Sequence, residues 1–162
     1  MRFIQKGFTI VELLVVIVVI GILAGIVIVN YNGIQARAND GAVTSDLTNF
    51  SDQLEIYRTR SGASDRYPSS GAELQTLDIK LTRSAYRTEI SDNVIVCMAG
   101  DYKTFTIIAL SKSGNVLAAT KDGMTSYTQP ASTFGTTACS SVYSLSALSS
   151  GWSSGSWQSW VD

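Results

Sequence analysis

Glu12 is the one charged residue among the 22 from Phe8 to Val29, a run otherwise made almost wholly of Ile, Val, Leu, Ala and Gly. A carboxylate in a bilayer costs roughly 2.5–3.5 kcal/mol even on insertion-based scales, so by default it marks a functional contact and needs a partner. Elsewhere the chain is poor in catalytic groups. It has no histidine, which removes the Ser-His and Cys-His nucleophile pairs, histidine-ligated zinc and the commonest acid–base group near neutral pH. Its two cysteines, Cys97 and Cys139, cannot by themselves close a four-cysteine zinc site or hold an iron–sulfur cluster. No enzyme, metal or cofactor is expected. The net charge of −1 gives no bulk attraction to nucleic acid or anionic membrane. Arg58, Arg60, Arg66, Lys80, Arg83 and Arg87 are interspersed with acids and read as a solvated mixed face, so no specific nucleic-acid partner is expected.

The element that must position Glu12 is a helix. At 1.5 Å per residue, Phe8–Val29 spans about 33 Å, matching a hydrocarbon core of about 30 Å. Residues 1–7 carry two positive charges. The positive-inside rule therefore places the N-terminus in the cytoplasm and everything after Val29 outside. A secretory signal peptide fits less well, because its apolar core is shorter and ends at a small-residue cleavage site.

The stretch Lys6-Gly7-Phe8-Thr9-Ile10-Val11-Glu12-Leu13-Leu14 resembles the processing motif of type IV pilins and pseudopilins. The likeness covers roughly the first 31 residues, with Gly21 where pilins have a helix-loosening glycine and Tyr31 on a common tyrosine. It departs at Val29, where a proline is frequent. The resemblance implies leader cleavage between Gly7 and Phe8 by a prepilin peptidase and methyltransferase, with N-methylation of Phe8. It also implies assembly through Glu12, which lies about 6 Å along the helix from the new Phe8 amine. In staggered subunits the carboxylate of one chain meets the amine of its neighbour at low dielectric. The implied partners are further pilins, in a homopolymer or mixed filament, and inner-membrane assembly machinery. The implied location is the cytoplasmic membrane before assembly and an extracellular filament afterwards.

Beyond Val29 the helix is expected to continue through 30–60. Val43, Leu47, Phe50, Leu54 and Tyr57 form one amphipathic stripe, with Asp40, Asp46, Asp52, Gln53, Arg58 and Arg60 on the opposite faces. Gly21, Gly25 and Gly33 are candidates for bending, the last within a weak Asn30-Tyr31-Asn32-Gly33 patch; the alternative is two helices broken at 30–33. Residues 61–162 read as a globular head. Ser61–Pro68 reads as a loop, and Ser70 and Glu73 look like a capping box opening a short helix through Leu77. Strands are expected over Asn93–Ala99, Tyr102–Leu110 and Val116–Thr120, the last two around a hairpin at Ser113-Gly114-Asn115. One long helix on a small antiparallel sheet is an α+β fold, which is also the pilin architecture.

Cys97 and Cys139 lie in the exported part, where oxidation is permitted. A bridge closing that 43-residue loop stabilises by roughly 4 kcal/mol on the loop-entropy model; two buried free thiols are the alternative. No charged residue stands between Asp122 and Asp162, ten serines lie in Ser140–Ser159, and all three tryptophans, Trp152, Trp157 and Trp160, fall within nine residues. They either form a surface for sugar or another subunit, or cover the domain's own sheet and pack between subunits. Three functions compete on this sequence. The leading one is a structural subunit of a type IV pilus for motility, adhesion or DNA uptake. The others are a pseudopilin of a type II secretion system and a membrane-anchored carbohydrate-binding module.

Overall fold

The computed structural model describes residues 7–60, 65–90, 92–126, 134, 135 and 137–161. The chain divides into two compact units, Met1–Gln35 and Ala36–Asp162.

One helix, α1 (Ile10–Arg60), contributes to both units. The helical assignment runs unbroken through Asn30–Gly33, so the alternative of two helices is not what forms. Gly21, Gly25 and Gly33 all have helical backbone, and a side chain at any of them would meet open space. In the first unit the apolar side chains from Ile10 to Ile28 stand exposed. This part of α1 is long and apolar enough to cross a membrane.

The second unit is a helix-on-sheet layer. The sheet contains β1 (Val94–Met98), β2 (Phe105–Leu110), β3 (Val116–Thr120), β4 (Gly123–Ser126) and β5 (Ser146–Ser150), in spatial order β4-β3-β2-β1-β5 and antiparallel throughout. β1 and β2 are buried at every position because both faces of the sheet are covered, so they read as unbroken apolar runs. On one face Val43, Leu47, Phe50 and Leu54 of α1 join Val94, Val96, Met98, Phe105 and Ile107. On the other, Ile95, Cys97, Ile108 and Leu110 meet Phe134, Ala138 and Cys139, the last two in α3 (Thr137–Tyr143).

Several sequence expectations change. Tyr57 is only half-buried, and Asp46, expected on a face opposite the apolar stripe, is buried at 7% exposure. The short helix α2 (Gly71–Leu74) stops before Leu77, since the amides of Thr76 and Leu77 donate to Glu73 and Leu74 three residues back, a 3₁₀-like tightening. β2 starts at Phe105 rather than Tyr102, because Tyr102 has φ +56° and its amide closes a turn on Ala99. Strands β4 and β5, helix α3 and a two-residue ladder of β6 (Trp152–Ser153) with β7 (Ser156–Trp157) are additions. The head expected from 61 onward includes the helix from Ala36 in its compact unit.

Candidate functional site

Glu12 sits in the first turn of α1. Its Oε2 accepts from the Thr9 amide at 2.8 Å and the Thr9 hydroxyl at 2.7 Å, while its own amide donates to Thr9 Oγ1 at 3.2 Å. This is a reciprocal capping box, which satisfies amides that a helix start leaves without partners. All of these bonds to the carboxylate use Oε2. Among the described residues Oε1 has no bonded donor, so one oxygen of the carboxylate is left to accept from outside the chain. Gly7 and Phe8 precede the helix and are accessible, with Phe8 87% exposed.

The remaining predicted residues lie in the second unit. Cys97 in β1 and Cys139 in α3 form a disulfide with Cα atoms 5.4 Å apart, fastening α3 over the sheet. Trp152, Trp157 and Trp160 do not make one exposed row. Trp160 is buried, 5.6 Å from the Phe50 ring, and its indole N–H donates to Ser149 Oγ at 2.8 Å. Trp157 packs edge-on to Tyr86 and Trp152, with the Arg83 guanidinium 5.7 Å from its ring centre. Gly151 admits this packing, since a Cβ there would meet Val94 at 3.2 Å. A surface site using all three rings is therefore corrected: core packing takes Trp160, and only the half-buried Trp152 and Trp157 keep accessible edges.

Four of the six basic residues singled out pair with acids. Arg58 pairs with Glu55 and Asp65, Arg66 with Glu73, Lys80 with Asp78 and Arg87 with Glu89, while Arg83 donates to the Val161 carbonyl. The bidentate Arg66 fork is the main reason that the Glu73 carboxyl falls to about 2, with the Ser69 amide adding to it. Glu73 thus reaches Ser69 rather than Ser70, while Ser70 Oγ caps the Glu73 amide at 3.3 Å.

Two carboxylates of α1 outside the predicted set tie the helix to other parts of the second unit. Asp46 accepts from the Thr82 amide at 2.6 Å, the Thr82 hydroxyl at 3.1 Å and the buried Tyr86 hydroxyl at 3.0 Å. Burial, then the Asp46 charge, pushes the Tyr86 phenol well above its ordinary value. Asp40 accepts from Ser113 Oγ at 2.5 Å and Asn115 Nδ2 at 2.7 Å. Spacing held a signal for Asp46: it lies three residues after Val43 and four before Phe50, on the buried stripe itself.

A family model, the prokaryotic N-terminal methylation motif, matches residues 2–28. The type II secretion system core protein G of Pectobacterium carotovorum subsp. carotovorum is 36% identical over 78 residues, 48% of each chain. That of Klebsiella pneumoniae is 38% identical over 73 residues, 45% of this chain and 50% of its own. The match thus spans about half the length of these secretion proteins. The type IV wide pilus major component PilA4 of Thermus thermophilus is 35% identical over 118 residues, 72% of this chain and 82% of its own. No solved structure matches. With the N-terminal motif, the helix-on-sheet architecture and a relative similar over most of both lengths, the chain belongs to the type IV pilin and pseudopilin family.

Proposed function

We propose that this chain is a filament-forming subunit of a type IV pilus. Members of its family are structural subunits and not enzymes. The observation that carries the pilus reading is the reach of the similarity. The pilus component aligns over 118 residues, well into the head, whereas the secretion proteins align over 73 to 78. On this reading residues 1–7 are a leader removed before Phe8, which is then N-methylated. Residues 8–29 hold the subunit in the cytoplasmic membrane with its N-terminus inside until assembly. Residues 30–60 continue the helix under the head, residues 61–162. Glu12 receives the Phe8 amine of a neighbouring subunit, using the oxygen that Thr9 leaves free. The peptidase, the other pilins and the inner-membrane machinery are its partners.

The experiment is to shear surface filaments, image them and identify this chain in them by mass spectrometry. Filaments containing this chain with an N-terminus at methylated Phe8 support the reading. An N-terminus at Met1 in assembled material overturns the processing step. Loss of protein secretion without loss of surface filaments, in cells lacking the chain, would assign it to a secretion pseudopilus instead.

A further inference from the structure

We propose that Asp40 is a releasable latch that sets where α1 becomes attached to the sheet unit. No residue of 36–41 is fully buried, and Val43 is the first residue of α1 that is. Ahead of Val43 the partly buried Ala42 packs against the core, and the polar tie is the Asp40 carboxylate, gripped through both oxygens by Ser113 and Asn115. These donors flank Gly114, whose φ of +97° is the backbone such a tight tip requires. The tip is itself stiff. Ser113 Oγ accepts the Asn115 amide, Ser111 Oγ accepts the Ser113 amide, and the Ser111 amide donates to the Asn115 carbonyl.

The same tip is tied to the inner anchor. The Lys112 amide donates to the Ala85 carbonyl at 2.7 Å, and the next residue, Tyr86, holds Asp46. Asp40 and Asp46 therefore fasten one helix to one body at two points six residues apart, about 9 Å along the axis. The two points differ in kind. Asp46 is buried among apolar neighbours, whereas Asp40 is half-exposed and held by neutral donors from a single hairpin tip. The outer point opens first, and its opening frees about three residues, some 4.5 Å, of helix. Asn39-Asp40-Gly41 is a weak helical sequence, so the freed turn gains little from propensity. The latch adjusts the attached length of α1 in whichever filament the subunit serves.

Amide hydrogen exchange on the full chain in detergent tests this, comparing the parent with Asp40→Ala and Ser113→Ala. Opening free energies differ along a structure, so exchange locates the change. Asp40→Ala should accelerate amides of residues 38–43 by about tenfold or more, with those of 47–57 unaltered. Alanine is the better helix former, so a change in propensity alone would slow them. Ser113→Ala, made 73 residues away, should accelerate the same amides to a smaller degree. Unchanged exchange at 38–43 in both variants would overturn the latch. So would acceleration spread evenly over β1, β2 and β3, which would make Asp40 part of the general fold.

Discussion

Replacing Asp46 with alanine is the sharpest test of how the second unit is held together. The substitution removes an acceptor of three hydrogen bonds. Bonds to a charged acceptor are worth roughly 1.5–3 kcal/mol each, but the full sum is not lost. Thr82 is exposed, so its amide and hydroxyl regain water. The Tyr86 hydroxyl is buried and is left without a partner, at roughly 1–3 kcal/mol. Alanine returns up to about 0.7 kcal/mol in helix propensity and removes a buried charge. The expected net loss is about 1–2 kcal/mol, a noticeable share of the 5–15 kcal/mol typical of a domain. Urea unfolding of the full chain in detergent, followed by tryptophan fluorescence, measures it, since Trp160 packs on Phe50 beside this anchor. Tyr86→Phe should cost about 1 kcal/mol, and the double variant should cost less than the two singles together. A loss below about 1 kcal/mol for Asp46→Ala, or strict additivity with Tyr86→Phe, would refute the anchor.

Glu12→Ala should leave processed monomer in the membrane and reduce sheared filament yield, because it removes an unfavourable charge from the bilayer together with the proposed acceptor for a neighbour's amine; normal filaments of mutant subunits alone would count against that role. Paired Cys97→Ala and Cys139→Ala should lower head stability by about 4 kcal/mol on the loop-entropy model, read by the same urea titration, and an unchanged midpoint would show that the bridge adds nothing. The depressed Glu73 carboxyl stabilises the fold above its ordinary value of 4.5, and that contribution is lost as pH falls towards about 2. Glu73→Gln should therefore flatten stability between those pH values; an unaltered slope would remove Glu73 as the titrating group.

Much of this architecture is legible where one physical signal dominates. The stripe of Val43, Leu47, Phe50 and Leu54 has helical period, and all four residues are buried. The apolar strands β1 and β2 stand out for the same reason, and Glu12 stands out as a charge where charge is expensive. The misses fall where two signals conflict. Asp46 shares the period of the buried stripe, yet a carboxylate on a helix reads as solvated, and only Thr82 and Tyr86, far along the chain, make its burial tolerable. Strand β5 is Ser-Ala-Leu-Ser-Ser, with no alternation and little hydrophobicity; it forms because it pairs with β1 and the following segment closes over it through Trp160. Thr9-x-x-Glu12 carries the same capping-box pattern as Ser70 and Glu73, masked by the apolar run in which it stands.

The two units differ in how their polar groups are satisfied, and that difference bears on how such a chain can vary. In the first unit the described bonds are local: Thr9 with Glu12, and Gln35 with Tyr31 one turn back. A helix that keeps its polar atoms paired within four residues carries its structure wherever it is placed, in lipid or against other helices. The second unit is held by bonds between distant positions: Asp40 to Ser113, Asp46 to Tyr86, Gln75 to Ser159 and Arg83 to Val161. Each of these ties a surface segment to α1 or to its neighbours, so a substitution at one end is felt at the other. Changes in loops that avoid these pairs leave both the helix and its attachment intact. Changes at the pairs alter the attachment while leaving the local bonds of the N-terminal helix as they are.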